Sequence, residues 1–278
     1  MGPQTSAMSE STPYLHGFDS AEQDRLWQQA RFLAPYVFER VRLNGVRRLL
    51  EVGCGTGAQT ELLLERYPEL KITAIDREPA QLNRARPYFS ARPAFHTRVE
   101  FVQMDAGHLE FPDQHFDGAW FIWVLEHVAD PLAMLRETRR VLAPGGTVIL
   151  TEVWNSGLFI HPTQPHLQAY WKAYNTLQEE IGGDPCVGVK LGHLLLQAGF
   201  SDIQVEPRPL LFDARHPASR TAIFQYWRDL LLSASRPLLE RKLVSQTTVE
   251  ALHQEFDFLA RIDDSVFFYA FMQAHARA

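Results

Sequence analysis

The chain has 278 residues, 46% of them hydrophobic, and a formal charge of −6. That length and apolar share suit one large domain, or a domain with a sizeable insertion, and exclude a mainly disordered chain. Acids and bases are interspersed without a basic block, which weighs against nucleic acid or an anionic membrane as partner.

The two cysteines, Cys54 and Cys186, lie far apart, so neither a disulfide framework nor a zinc site is expected, and the expected setting is a reducing cytoplasm. The opening "MGPQTSAMSESTP" is polar and carries no apolar core of a signal peptide. Met8 is an alternative start. No run of about 18 apolar residues is present, so no transmembrane helix is expected.

Residues 1–18 read as an arm ending in "YLHGF". A helix is predicted from Ser20, where Ser20 and Gln23 have capping-box spacing. Leu26, Ala30, Leu33, Val37 and Val41 recur at helical spacing, Pro35 kinks the segment, and Asn44-Gly45 ends it. Strand and helix patterns then alternate. The strands are "RRLLEV", "KITAID", "VEFVQMD", "GAWFIW" and "TVILTEV"; the helices are "AQTELLLERY", "PAQLNRARPYF" and "PLAMLRETRRVL". Short apolar strands alternating with helices predict a doubly wound α/β sheet, mostly parallel. After Val153 the rhythm breaks. An insertion over 154–188 is followed by a helix and a strand over 189–213. A second, helical insertion over 214–262 leads to a last strand in 263–278. Both insertions are rich in aromatics and read as a lid over one edge of the sheet. The divisions before them are 1–45, arm and helix, and 46–153, the core.

The stretch "LLEVGCGTGAQT" places Gly53, Gly55 and Gly57 directly after the first strand. A loop that turns sharply into a helix there needs positive φ or a close backbone approach, and glycine supplies both. The helix start at Ala58 offers free N–H groups to a polar or anionic ligand. Gly53-x-Gly55-x-x-Ala58 also satisfies the dinucleotide fingerprint, and a tight turn with no ligand is the plainer reading. Asp76 ends the second strand, where a carboxylate can accept two hydrogen bonds from a ribose diol, or serve the start of the next helix. Asp105 ends the third strand and could meet an adenine amino group, or be an exposed loop acid.

Together these residues resemble the class I S-adenosylmethionine-dependent methyltransferases, in a branch acting on small molecules. The resemblance rests on "LLEVGCGTGAQT", "ITAID", "FVQMDAGHLEF", "FDGAWFIWVLEHVADP" and "VLAPGGTVILTE", and covers about residues 46–153. It implies a Rossmann-like seven-stranded sheet whose last strand is antiparallel. It implies that Gly53, Cys54 and Gly55 line the amino-acid moiety and ribose of the cofactor, with Glu51 near its ammonium. Asp76 would hold the ribose hydroxyls, Arg77 would lie beside the adenine, Asp105 would accept from the adenine amino group, and the Ala106 N–H would serve a ring nitrogen. Phe121 and Ile122 would offer backbone carbonyls. In similar enzymes an aromatic of the leader covers the methionine end, which makes Tyr14 a latch. Ile122-Trp123 is bulkier than in many relatives and favours an apolar or aromatic acceptor.

The expected reaction is methyl transfer from S-adenosyl-L-methionine, with S-adenosyl-L-homocysteine as product, to an O, N or C nucleophile of a small molecule. Alignment supplies much of the rate, and aromatic faces can steady the sulfonium. Trp120, Phe121, Trp123, Trp154, Tyr170, Trp171 and Tyr174 are the aromatics of interest. Two or three are expected at a ligand, and Trp123, Trp154, Trp171 and Tyr174 are assigned to the acceptor. His127, in "LEHV", is the catalytic candidate if a base is needed, while Glu126 is expected to cap or face solvent. His161 and His166 lack an acid or Cys to complete a metal set, so no metal is expected. A monomer or homodimer is expected. The alternatives are a nicotinamide-dependent oxidoreductase and a non-catalytic S-adenosylmethionine-binding regulatory protein.

Overall fold

The computed structural model describes residues 20–278. Helix α1 (Ser20–Val37) is followed by β1 (Arg48–Val52), α2 (Ala58–Arg66), β2 (Lys71–Asp76), α3 (Pro79–Ser90), β3 (Val99–Gln103), β4 (Phe116–Ile122), α4 (Pro131–Val141) and β5 (Leu142–Glu152). These five strands pair in parallel in the order β3-β2-β1-β4-β5. The chain continues through β6 (Phe159–His161), α5 (Pro165–Glu180), α6 (Leu191–Gln197), β7 (Ser201–Phe212), α7 (Pro217–Ser233), α8 (Ser235–Glu240) and α9 (Gln246–Arg261) to β8 (Val266–Arg277).

The last strand runs antiparallel to β5 and β7, as expected, but the sheet has eight strands rather than seven. The extra one is β6. On the β5 side, β5 covers only Met272–Arg277 of β8, and Phe159–His161 takes up the open edge at Val266–Phe268. Unpaired strand backbone is costly when buried, which explains why three residues of the first insertion are drawn into the sheet.

Helix α1 also ends earlier than its periodicity suggests, at Val37 rather than beyond Val41. Its terminal carbonyls find partners outside the helix. Gln273 donates to the Val37 carbonyl at 2.9 Å, and Arg208 to that of Tyr36 at 3.4 Å. With Pro35 unable to donate, the helix stops where β7 and β8 satisfy its end.

Successive strand residues feed opposite faces of the sheet. Leu49, Ile72, Trp120 and Ile149 join one core with α1, α2, α3 and the insertion helices α5, α7 and α9. Leu50, Ile75, Phe121 and Leu150 join the other, with α4 and α6. Both insertions therefore stack on the face that carries α1.

Candidate active site

The three loop glycines all have positive φ, at 68°, 53° and 83° for Gly53, Gly55 and Gly57. They differ in what a side chain would meet. A Cβ on Gly53 would lie 2.6 Å from a Val124 methyl, and one on Gly57 2.6 Å from the Phe89 ring. A Cβ on Gly55 would meet nothing within 4 Å. Gly53 and Gly57 thus let the loop pack, whereas Gly55 faces open space. The loop is tied down by Cys54 N–H to the Ile75 carbonyl at 3.0 Å and Gly55 N–H to Asp76 Oδ2 at 2.8 Å. Cys54 is buried, and burial pushes its thiol well up. Gly57 caps α2 and has no side chain to engage the first-turn N–H groups.

Glu51 is 1% exposed. Its Oε2 accepts from Thr60 Oγ at 2.7 Å, its Oε1 has no partner, and burial pushes the carboxyl up to about 8. Asp76 accepts from the N–H groups of Gly55 and Glu78. Burial raises its carboxyl and these two donors oppose the rise. Each Asp76 oxygen keeps acceptor capacity toward the cavity it lines. Asp105 is exposed at the rim and accepts from Gly107 N–H at 2.8 Å, with Ala106 buried beside it. Arg77 also lines the cavity, its Nε 3.6 Å from Glu78.

At the end of β4 the two candidate carbonyl residues part company. Ile122 lines the cavity, while Phe121 is packed in the core of the opposite face. Trp123 follows with φ 54°, a left-handed conformation that turns the chain sharply. Glu152 stabilises the turn, accepting from Val124 N–H at 3.1 Å and Leu125 N–H at 3.0 Å. Burial pushes its carboxyl up to about 8. Glu126 does not face solvent: it is 6% exposed and Oε2 accepts from Gln178 of α5 at 2.6 Å. The reason lies in the first insertion, which covers the turn and gives Glu126 an amide partner. His127 Nε2 lies 3.7 Å from Glu126 Oε1, and burial holds the imidazole below its ordinary range.

One cavity of about 260 Å³ joins these groups. Gly53, Gly55, Asp76 and Asp105 line one end. At the other, Trp171 and Tyr174 of α5 meet Tyr226 and Trp227 of α7 and Tyr269 of β8. The rings form a continuous wall, with centroids 5.3 Å apart for Trp171–Tyr174, 5.9 Å for Trp171–Trp227 and 4.7 Å for Trp227–Tyr269. Of the seven aromatics singled out, Trp123, Trp171 and Tyr174 line the cavity. Trp120, Phe121 and Tyr170 are fully buried core residues. Trp154 is not at the cavity, since its ring lies against Gly157, in the short helical turn that precedes β6. Tyr14 lies outside the described residues, as does the arm around it. His161 and His166 lie apart from the cavity.

Sequence reasoning missed Arg25 and Gln29 of α1, Asn155, Tyr226, Trp227 and Tyr269 as cavity residues. Tyr269 OH donates to Asn155 Oδ1 at 3.0 Å, and Asn155 donates to Asn175 at 2.7 Å, so this wall carries an ordered polar chain. The aromatic content of the second insertion was the available signal for Tyr226 and Trp227. Nothing in the sequence aims Asn155 or Tyr269 at the site, because their placement depends on the turn after β5 and the pairing of β8.

Residues 50–150 match the family model described as "Methyltransferase domain". A malonyl-[acyl-carrier protein] O-methyltransferase of Paenibacillus sp. (strain JDR-2) is 31% identical over 56% of this chain and 56% of its own. A 27-O-demethylrifamycin SV methyltransferase of Amycolatopsis mediterranei (strain S699) is 31% identical over 49% of this chain and 49% of its own. The chain spans about half the length of these curated relatives. Among solved structures, the [4+2]-cyclase SpnF superposes with a TM-score of 0.53 at 25% identity, over 91% of this chain and 80% of that one. With their glycine loop, strand-end acids and sheet order, residues 50–150 match a methyltransferase domain, and the comparisons support a class I S-adenosylmethionine-dependent methyltransferase core.

Proposed function

We propose that the protein binds S-adenosyl-L-methionine along the glycine loop and transfers its methyl group to a small-molecule acceptor held against the aromatic wall, with S-adenosyl-L-homocysteine as product. The observation that carries this reading is the single cavity that runs from Gly55, Asp76 and Asp105 to Trp171, Tyr226 and Tyr269. The residues present suit the cofactor. Asp76 retains acceptor capacity for the ribose hydroxyls, Asp105 and the Ala106 N–H suit adenine, and the Ile122 carbonyl and Arg77 border the same end. The orphaned Oε1 of Glu51 suits an ammonium approaching over the loop at Gly53, Cys54 and Gly55. The cofactor supplies a methyl group on a sulfonium. The protein holds the acceptor in line behind it, an alignment that can be worth about 7–11 kcal/mol. Burial keeps His127 neutral, in the form that can take a proton from the acceptor. Trp123, Trp171 and Tyr174 bound the acceptor chamber, and the helices α5 and α7 exclude water from it.

The likeness to a solved [4+2]-cyclase favours one second reading, in which the cofactor is bound and the chamber acts on its guest without methyl transfer. Incubation of metabolite extracts with methyl-deuterated cofactor, followed by mass spectrometry, separates the two. Labelled product together with S-adenosylhomocysteine supports methyl transfer; a changed metabolite without label supports the second reading. Among the described residues no helix is long and apolar enough to cross a membrane.

A further inference from the structure

Glu126 is a buried acid facing a cavity walled by aromatic rings. One oxygen takes the Gln178 amide, and the other, Oε1, has His127 at 3.7 Å. Among the described residues no Arg or Lys ion-pairs with it. Two cations, Arg25 and Arg77, line the same cavity. From α1, Arg25 is engaged bidentately by Glu22 at 2.6 and 2.7 Å, so that pair is neutral as a unit. From β5, Glu152 brings a further carboxyl, held protonated by burial. From α7 and β8, burial pushes the Tyr226 and Tyr269 phenols up; Arg25 opposes the rise at Tyr226, and Glu126 adds to it at both, which places Glu126 within electrostatic reach of the two rings. His127 is held neutral by burial. Among the described residues Glu126 thus has an amide and an imidazole as near neighbours and no ion-paired Arg or Lys, in a cavity ringed by Trp171, Tyr174, Tyr226, Trp227 and Tyr269.

A buried carboxylate without a cationic partner is costly, and the cost is relieved by a cation that enters with the ligand. Aromatic faces hold such a cation more strongly when water is excluded. A neutral acceptor can offer the acid a hydrogen bond but no compensating charge. We propose that the acceptor is an amine, bound as its ammonium between Glu126 and the aromatic wall. This deepens the methyltransferase reading and rests on it for the reaction, though the recognition itself is independent of the cofactor. Before attack an N–H bond breaks, its electron pair stays on nitrogen, and the proton passes to the neutral imidazole of His127.

The test titrates the full chain, with and without bound S-adenosylhomocysteine, with 2-phenylethylamine and with 2-phenylethanol. The two share a ring and a spacer and differ in charge. The amine should bind about tenfold tighter or better. Glu126→Gln, which keeps a partner for Gln178, should abolish that preference and leave S-adenosylhomocysteine affinity unchanged. Glu126→Asp, read the same way, should weaken the preference if the glutamine variant does not fold. Equal binding of amine and alcohol, binding of neither, or a preference that survives Glu126→Gln overturns the proposal. A variant that instead loses discrimination between S-adenosylmethionine and S-adenosylhomocysteine overturns it too, since the carboxylate would then serve the sulfonium. Wild-type protein that ignores S-adenosylhomocysteine but selects the amine refutes the cofactor reading alone.

Discussion

Cofactor binding at neutral pH should expel a proton from Glu51. This carboxyl is hydrogen-bonded to Thr60 at one oxygen and unpartnered at the other, and burial pushes it from 4.5 to about 8. At pH 7 the empty protein therefore holds it mostly in the acid form. At about 1.36 kcal/mol per pH unit, such a shift corresponds to a penalty on the order of 5 kcal/mol for the charged form relative to water. An ammonium brought to the carboxylate offsets that penalty and restores the charged form. Close to one proton should leave per ligand bound. Calorimetry of S-adenosylhomocysteine binding in buffers of different ionisation enthalpy reads this as the slope of apparent against buffer enthalpy. Glu51→Gln should flatten the slope. A flat slope in the wild type, or the same slope in Glu51→Gln, refutes the reasoning. The sign for folding follows from the same shift. Between about 4.5 and 8 the native state keeps protons that the unfolded chain releases, so Glu51 and Glu152 both lower stability as pH rises through that window. Glu51→Gln should remove its share of that slope in a denaturation series, leaving the share of Glu152.

Gly55→Val should abolish S-adenosylhomocysteine binding and cost about 1–2 kcal/mol of stability from its left-handed backbone, because its side chain enters open cavity rather than core; outright unfolding counts against this. Gly57→Val places a Cβ against Phe89 as well as straining the same backbone region, so its unfolding midpoint should fall further than that of Gly55→Val in chemical denaturation. Deletion of residues 1–18 should weaken cofactor binding and abolish turnover if Tyr14 acts as a latch. Hydrogen exchange in residues 10–20 should then slow on adding S-adenosylhomocysteine, and a fully active truncation shows that the segment is a tail.

The parallel half of the sheet was legible because its signals are local. A strand buried on both faces, a glycine turn and an acid at the next strand end all fall within a short window, and β1, α2 and β2 carry them without help from elsewhere. The end of α1 was not legible, since its carbonyls are satisfied by Gln273 and Arg208 from the far end of the chain. Nor was β6, three residues whose strand character comes from the open edge of β8. The same distinction runs through the site. Asp76, Gly55 and Ile122 border the cavity because their strands end there, which the alternation of strand and helix implies. Glu126, expected to cap or face solvent, is instead buried, because Gln178, distant in sequence, covers it. Trp154 looked like part of an aromatic cluster with Trp171 and Tyr174, but spacing along an irregular segment carries no information about facing, and its ring lies on Gly157.

The central claim is that the glycine loop and Asp76 hold S-adenosylmethionine. Titration calorimetry of S-adenosylhomocysteine into wild type and Asp76→Ala tests it most directly, with circular dichroism to establish that the variant folds. Asp76 already accepts from Gly55 and Glu78, so the substitution removes the ribose partner and loosens the loop together. Each charge-assisted hydrogen bond lost is worth about 1.5–3 kcal/mol, which predicts at least a roughly tenfold fall in affinity. A wild type that does not bind, or a folded Asp76→Ala that binds equally well, contradicts the claim.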